Sequence, residues 1–139
     1  MRTLAIIKPD AVEAGHIGQI LAHLEREGFT LRGARLVRLS VAQAEAFYDV
    51  HRERPFFRSL VAFMTSGPAL ALALERQNAV EHLREVIGAT DPAEANAGTI
   101  RRLYAQSKER NAIHASDSAE TAAREVAFFF SDSELIKFA

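Results

Sequence analysis

The residue types best suited to covalent chemistry lie between Asn111 and Ser118 in this 139-residue chain. His114 ends a short apolar run there, and a helix start rich in hydroxyl and carboxylate groups follows it. A neutral imidazole can attack phosphorus without a partner base, and backbone N–H groups at a helix start favour a nearby anion. The segment is therefore chemically suited to forming a phosphohistidine. The alternative is a structural histidine that is hydrogen-bonded to Ser116 or Asp117.

Other common site patterns are missing from the sequence. It contains neither G-x-x-x-x-G-K-[ST] nor G-x-G-x-x-G, so a nucleotide would have to be held by side chains. Its five histidines form no H-E-x-x-H, and it has no cysteine. A structural zinc site, a disulfide framework and a cysteine nucleophile are therefore not expected.

Composition predicts one globular domain over residues 1–139. Hydrophobic residues make up 48% and charged residues 25%, and the net charge of −1 argues against a general nucleic-acid-coating protein. The first apolar run, Leu4–Ile7, is too short for a signal peptide or a membrane span. We therefore expect a cytoplasmic protein without a membrane partner.

Apolar and alternating runs predict four strands, at Leu4–Ile7, Leu31–Leu39, Ala69–Leu74 and Asn111–His114. The alanine content of the third run leaves a helix open as its alternative. Pro9 marks the end of the first strand, because proline cannot continue the hydrogen-bond ladder.

Helical spacing of apolar residues predicts the intervening elements. The predicted helices run from Ile17 to Gly28, from Ser40 to Tyr48, from Phe57 to Met64, from Val80 to Gly88, from Thr99 to Tyr104 and from Asp117 to Phe130. Ser40 with Gln43, and Asp117 with Glu120, form capping-box patterns. The irregular segment 89–98 is long enough to suggest a function, and the tail 131–139 has no assigned element. Alternating strands and helices predict an α/β architecture with one sheet covered on one side.

Six ordered blocks of the chain resemble nucleoside diphosphate kinases of the short bacterial type. They are Ile6-Ile7-Lys8-Pro9-Asp10-Ala11, Arg54-Pro55-Phe56-Phe57, Met64-Thr65-Ser66-Gly67-Pro68, Gly88-Ala89-Thr90-Asp91-Pro92, Gly98-Thr99-Ile100-Arg101 and Asn111-Ala112-Ile113-His114-Ala115-Ser116-Asp117-Ser118. The last block is close to the family's signature around its phosphorylated histidine.

The resemblance implies a ferredoxin-like α/β sandwich with a four-stranded antiparallel sheet and covering helices. It implies a ping-pong reaction in which His114 takes the γ-phosphate of a nucleoside triphosphate, typically ATP, and passes it to a nucleoside diphosphate. It also implies Mg²⁺ held mainly by the nucleotide phosphates, with Asp117 as a candidate to reach the ion through water. The protein would be a homo-oligomer, either a tetramer or a hexamer.

The resemblance also assigns individual roles. Phosphate contacts fall to Lys8, Arg84, Thr90 and Arg101, the ribose contact to Asn111, and base stacking to Phe56. Tyr48, Ser116 and Glu125 would support His114. Glu125 would accept a hydrogen bond from the ring nitrogen that does not attack, as orienting carboxylates do in catalytic triads.

The chain departs from the family pattern beside these blocks. Ala115 replaces a glycine, and if that position needs a positive φ its Cβ costs roughly 1 kcal/mol. Arg102 and Leu103 replace a small residue and an aspartate, which removes an ion pair of that aspartate. A nucleotide-binding regulatory relative with weak or no transfer activity is therefore the alternative function.

A nucleic-acid-binding side activity is a further hypothesis. Fourteen of the 17 basic residues are arginine, and two clusters stand out, Arg32-Arg35-Arg38 and Arg52-Arg54-Arg58. The interleaved acidic residues argue against more than a side activity.

Overall fold

A computed structural model of the chain describes residues 1–137 and contains one four-stranded sheet within them. The strands are β1 (Arg2–Ile7), β2 (Thr30–Val37), β3 (Ala69–Glu75) and β4 (Ile113–Ala115). Their order is β2-β3-β1-β4, and every neighbouring pair is antiparallel. The predicted ferredoxin-like α/β fold is therefore confirmed.

The helices are α1 (Pro9–Glu13), α2 (Ile17–Arg26), α3 (Val41–Phe47), α4 (Phe57–Met64), α5 (Ala79–Ile87), α6 (Ile100–Tyr104) and α7 (Ala119–Phe129). Short 3₁₀ turns occupy Asp49–His51 and Asp132–Glu134. Within the described residues, no helix is both long and apolar enough to cross a bilayer.

Helices cover both faces of the sheet, so the prediction of a sheet covered on one side was wrong. Leu4 and Ile6 of β1 pack into one core with α3, α4 and α7, whereas Ala5 and Ile7 pack into a second core with α2, α5 and α6. Strand residues alternate between faces, and all four of these side chains are fully buried. A continuous apolar run is typical of a strand that is covered on both sides.

Local capping explains several helix boundaries. The Ser40 hydroxyl accepts the Gln43 N–H, and the Gln43 side chain accepts the Ser40 N–H, which confirms that capping box. Thr99, at the predicted start of α6, is its N-cap, and its hydroxyl accepts the Arg102 N–H. The cap of α7 is Ser118 paired with Thr121, so the prediction of Asp117 with Glu120 was wrong.

Two predicted strand ends differ from the structure. Pro9 does end β1, but it also begins α1, because proline is well tolerated at the first position of a helix. The fourth strand begins at Ile113 instead of Asn111. Ala112 breaks the extended backbone there with a φ of 75°. In the segment without an assigned element, Leu135 is buried, and residues 138–139 lie outside the described part of the chain.

Candidate active site

His114 lies in a cavity of about 610 Å³ that is bounded by the ends of β1 and β4, the α3–α4 connection and the loop before β4. The lining residues are Lys8, Tyr48, His51, Phe56, Leu60, Thr90, Arg101, Lys108, Glu109, Asn111 and His114. The cavity brings together seven of the residues predicted for the site: Lys8, Tyr48, Phe56, Thr90, Arg101, Asn111 and His114.

The imidazole of His114 is held from behind by a carboxylate. Nε2 of His114 donates to Oε1 of Glu125 over 2.8 Å, and the same oxygen accepts the Ser116 hydroxyl over 2.8 Å. The proton is therefore on Nε2, and Nδ1 carries the free lone pair. Within residues 1–137, no hydrogen bond engages Nδ1.

The pKa shifts of His114 and Glu125 favour a neutral imidazole next to an ionised carboxylate. Burial lowers the pKa of His114 from its usual value of 6.5 and outweighs the opposing effect of Glu125. Burial alone would raise the pKa of Glu125, but the hydrogen bonds from His114 and Ser116 lower it overall. At neutral pH the ring is an uncharged nucleophile that faces an ionised carboxylate.

Aromatic rings enclose the imidazole. The rings of Phe47 and Tyr48 meet it edge-on, at centroid distances of 5.3 and 6.0 Å. The Tyr48 hydroxyl is buried and has no protein partner in the described chain. Burial, and then the charge of Glu125, raise the Tyr48 pKa, so this hydroxyl remains a proton donor. It is available to donate to an oxygen of a bound group.

Two buried cations face the same cavity. Lys8 is 7% exposed and Arg101 is 6% exposed. Burial, and then the charge of Arg101, lower the Lys8 pKa to about 8. Burial, and then the charge of Arg84, lower the Arg101 pKa to about 10. No carboxylate of the described residues lies within 4.0 Å of Lys8, Arg101 or Arg84.

Backbone and amide oxygens, not carboxylates, position these cations. Nζ of Lys8 donates to Oδ1 of Asn111 over 2.8 Å. The Arg101 guanidinium donates to the carbonyls of Gly88 and Ile113 over 3.0 and 2.8 Å, while its buried Nε–H has no partner in the described chain. Neutral acceptors leave both cations without an ion pair, and the carboxylates of Asp10 and Glu109 act on Lys8 only over longer distances, so the cavity favours anions.

The remaining predicted residues lie at or behind the cavity. Asn111 also donates to the Thr90 carbonyl over 3.3 Å. Arg84 does not line the main cavity. It borders an adjoining one of about 460 Å³ that also contains Thr90. Glu125 and Ser116 stand behind His114, and the Phe56 ring is 45% exposed at the cavity mouth.

Gly88 fixes the approach of the Arg101 guanidinium. Its φ is 88°, and an added Cβ would lie 2.6 Å from Oγ1 of Thr99. A side chain at this position would therefore displace the carbonyl that Arg101 uses.

Sequence reasoning missed the contact that shapes the backbone before His114. The Asp10 carboxylate accepts the Ala112 N–H over 3.0 Å, and the Ile113 N–H donates to the Asn111 carbonyl over 2.9 Å. These bonds hold Ala112 in a tight three-residue turn. The sequence signal for this contact was Asp10 itself, a carboxylate two residues after Lys8 at the end of a buried strand. Leu60, His51, Lys108 and Glu109 were also not predicted to line the cavity.

The backbone and its contacts show where two departures from the family pattern lie. Ala115 lies in β4 opposite Ala5 and outside the positive-φ region, so the condition under which its Cβ would cause strain is not met. Arg102 approaches the carbonyls of Pro92 and Ala93 at 3.4 Å, which places it over the irregular segment 89–98.

A protein-held metal site is not present in residues 1–137, since no group of three or more His, Cys, Asp or Glu residues could hold an ion there. Asp117 is exposed and does not line the main cavity. Its carboxylate accepts the Thr121 hydroxyl over 2.8 Å. The cationic cavity fits a metal that arrives already bound to phosphates and not one held by the protein alone.

Comparison with known proteins agrees with this geometry. The family model for nucleoside diphosphate kinase matches residues 1–135. The nucleoside diphosphate kinase of Halorhodospira halophila is 56% identical over 134 residues, which cover 96% of this chain and 95% of the relative. That of Sorangium cellulosum is 55% identical over 134 residues, which cover 96% and 93%.

Solved structures extend the likeness to the whole fold. The Aquifex aeolicus nucleoside diphosphate kinase superposes with a TM-score of 0.96 at 47% identity, covering 97% of this chain and 98% of that one. A Halobacterium salinarum nucleoside diphosphate kinase in complex with CDP superposes with a TM-score of 0.96 at 39% identity, covering 100% and 93%. Likeness of this extent makes the chain a phosphotransferase by class. More particularly, it belongs to the nucleoside diphosphate kinase family.

Proposed function

We propose that this chain transfers the γ-phosphate of a nucleoside triphosphate to a nucleoside diphosphate through a phosphohistidine on His114. One observation carries the proposal. The imidazole is neutral, its Nε2–H is engaged by Glu125, and its free Nδ1 belongs to a cavity that also holds two cations without carboxylate partners. A nucleophile and a polyanion site in one cavity are the two requirements of phosphoryl transfer.

In the first half-reaction, the Nδ1 lone pair attacks the γ-phosphorus and a nitrogen–phosphorus bond forms. The bond from phosphorus to the bridging oxygen breaks, and the nucleoside diphosphate leaves with that electron pair. Nε2 keeps its proton, so the ring gains positive charge, which the Glu125 carboxylate at 2.8 Å stabilises. In the second half-reaction, a terminal oxygen of another nucleoside diphosphate attacks the phosphorus and the bond to Nδ1 breaks.

The other site residues orient the nucleotide. Lys8 and Arg101 neutralise the charge of the phosphates, and Arg84 and Thr90 extend that contact from the adjoining cavity. The Tyr48 hydroxyl donates to the transferred group. Asn111 binds the ribose hydroxyls once it is released from Lys8, and the exposed Phe56 ring stacks on the base.

Mg²⁺ would enter with the nucleotide substrate in this proposal and would neutralise part of the charge of its phosphates. Asp117 would reach the ion through water only after exchanging its contact with Thr121. The chain would supply cations and hydrogen-bond donors around the phosphates. Its described residues include no group of side chains that could coordinate the metal by themselves.

We also propose a cytoplasmic homo-oligomer, a tetramer or a hexamer. The outer strand β2 supports association, because Leu36 is 63% exposed and one edge of β2 has no strand partner in the described chain. Mass measured under native conditions distinguishes four copies from six.

The arginine clusters favour structural roles over nucleic-acid binding. Arg35 donates to the Phe129 carbonyl, Arg52 pairs with Asp49, and Arg58 pairs with Glu45. Each of these bonds engages one of the five N–H donors of its guanidinium, and the carboxylates of Asp49 and Glu45 offset positive charge that would attract a phosphate backbone.

Initial-rate kinetics test the proposed function. With ATP and dTDP varied against each other, a phosphoenzyme route predicts parallel double-reciprocal lines. His114→Ala should abolish turnover while ADP binding by calorimetry persists. Intersecting lines, or turnover within tenfold of wild type in the variant, would contradict the proposal. Tight ADP binding without transfer in the wild type would instead identify a nucleotide-binding relative.

A further inference from the structure

A lysine without a described protein partner lines the cavity that contains His114. Lys108 is exposed, lines the same cavity as Phe56, and makes no hydrogen bond or ion pair within residues 1–137. The other lysine in the cavity, Lys8, is buried and hydrogen-bonded to Asn111. The reaction proposed above uses Lys8 and leaves Lys108 without a role.

Contacts with α4 place Lys108 near Phe56. The hydroxyl of Ser59, one turn beyond Phe56, donates to Oε1 of Glu109 over 2.8 Å. Glu109 is the next residue after Lys108, so this bond holds the lysine beside the first turn of α4. Lys108 therefore belongs to the stacking end of the cavity.

The loop that carries Lys108 is closed by its own hydrogen bonds. The Gln106 N–H donates to the Arg110 carbonyl over 2.8 Å, and the Arg110 N–H donates to the Ser107 hydroxyl over 3.0 Å. The Arg110 guanidinium lies 5.2 Å from the centre of the Phe63 ring of α4. The backbone under Lys108 is thus fixed before any ligand binds, while its side chain remains free to reach one.

We propose that Lys108 selects nucleobases that present a carbonyl oxygen on their outer edge over those that present an amino group there. This inference rests on the proposed function, because it takes the cavity to hold a nucleotide with its base on Phe56. An ammonium has three donors and no acceptor. It can donate to O6 of guanine or hypoxanthine and to O4 of uracil or thymine, but it meets only donors at the amino groups of adenine and cytosine.

Discrimination of this kind comes from the unfavourable partner as much as from the favourable one. Beside an amino group, the Lys108 ammonium loses water and gains no hydrogen bond to that group. The adjoining ring nitrogens of adenine and cytosine still accept hydrogen bonds, which limits the discrimination. Because Lys108 is exposed, solvent and salt screen the contact. We therefore expect a preference of about five- to tenfold, less than a fully buried charged hydrogen bond would give.

Two nucleotide pairs isolate the outer edge of the base. IDP and ADP differ only at the six-position and the adjoining ring nitrogen, and UDP and CDP differ in the same way at the four-position. Calorimetry on unphosphorylated protein gives their dissociation constants without requiring turnover. Wild type should bind IDP more tightly than ADP, and UDP more tightly than CDP, and added KCl should shrink both ratios.

Substitutions at Lys108 test whether its ammonium group causes the base preference. Lys108→Met keeps most of the apolar stem and should bring both ratios to about one, by weakening IDP and UDP and by tightening ADP and CDP. Lys108→Arg should retain a preference. Lys137→Met makes the same charge change outside the cavity and should leave both ratios unaltered. In turnover assays, the Lys108 substitution should change KM while kcat stays near wild type.

Equal binding of IDP and ADP by wild type would overturn the inference, as would a preference that survives Lys108→Met. Phosphohistidine formation without base preference would refute this inference and leave the proposed function standing. Base preference without phosphohistidine formation would support the role of Lys108 and refute the proposed transfer reaction. If none of the four diphosphates binds, both proposals fail.

Discussion

Removing the Glu125 carboxylate tests how the site prepares its nucleophile. In Glu125→Ala, Nε2 of His114 loses its acceptor, so the proton is no longer held on the nitrogen away from the phosphate. The positive charge that the ring gains during attack also loses its compensating carboxylate. Phosphoenzyme formation should slow, while nucleotide affinity should change little, because Glu125 does not line the cavity.

The expected loss in the rate of phosphoenzyme formation can be worked out from the hydrogen bond between His114 and Glu125. The bond measures 2.8 Å, and the two side chains are only 19% and 9% exposed, so solvent screens it weakly. Hydrogen bonds to charged groups contribute about 1.5–3 kcal/mol, which corresponds to a rate loss of roughly 10- to 150-fold. Ser116→Ala removes only a bond to the supporting carboxylate, and we expect a smaller loss, under about tenfold.

Single-turnover quench experiments at saturating Mg-ATP, read by intact mass, give the rate of phosphoenzyme formation directly. Glu120→Ala is the matched control, since Glu120 is exposed on the first turn of the same helix. A loss below about twofold in Glu125→Ala, or a loss confined to nucleotide affinity, would refute the assigned role of the carboxylate.

Three further outcomes are expected. The Lys8 cation is lost as pH rises through its pKa of about 8, so kcat/KM for ATP should fall above that pH, and a flat profile to pH 9.5 would contradict this. Ala112→Gly relieves a φ of 75° but removes a fully buried methyl group, so the two effects should nearly offset and the free energy of unfolding should change by less than about 1 kcal/mol; a loss of several kcal/mol in thermal unfolding would show that no strain is relieved there. Ala115→Gly should not raise turnover, since Ala115 lies in regular β4; a severalfold gain would show that its Cβ hinders the site.

Local patterns predicted the helices well because their causes are local. The apolar face of α2, which includes Ile20 and Leu24, repeats at helical spacing, and the reciprocal bonds of Ser40 and Gln43 span three residues. The apolar run of β1 also predicted a strand correctly. Its burial on both faces could not be predicted in the same way, because it depends on a second layer of helices. Such signals depend on neighbours in the chain.

The site depends on contacts between distant segments, which no window of the sequence displays. Lys8 meets Asn111 across 103 positions, and Asp10 holds the Ala112 N–H across 102. The unusual φ of Ala112 follows from that second bond, so alanine itself carries no signal of it. The resemblance to the kinase family selected His114 and its surrounding residues, but it did not indicate that Lys108 lines the same cavity as Phe56.

The most direct test of the phosphohistidine mechanism is the intact mass of the protein after brief incubation with Mg-ATP, before and after dTDP is added. The wild type should gain one phosphate and lose it on addition of dTDP as dTTP forms, whereas His114→Ala should gain none. Absence of the phosphate in wild-type protein that binds ADP, or its presence in the variant, would contradict His114 as the carrier.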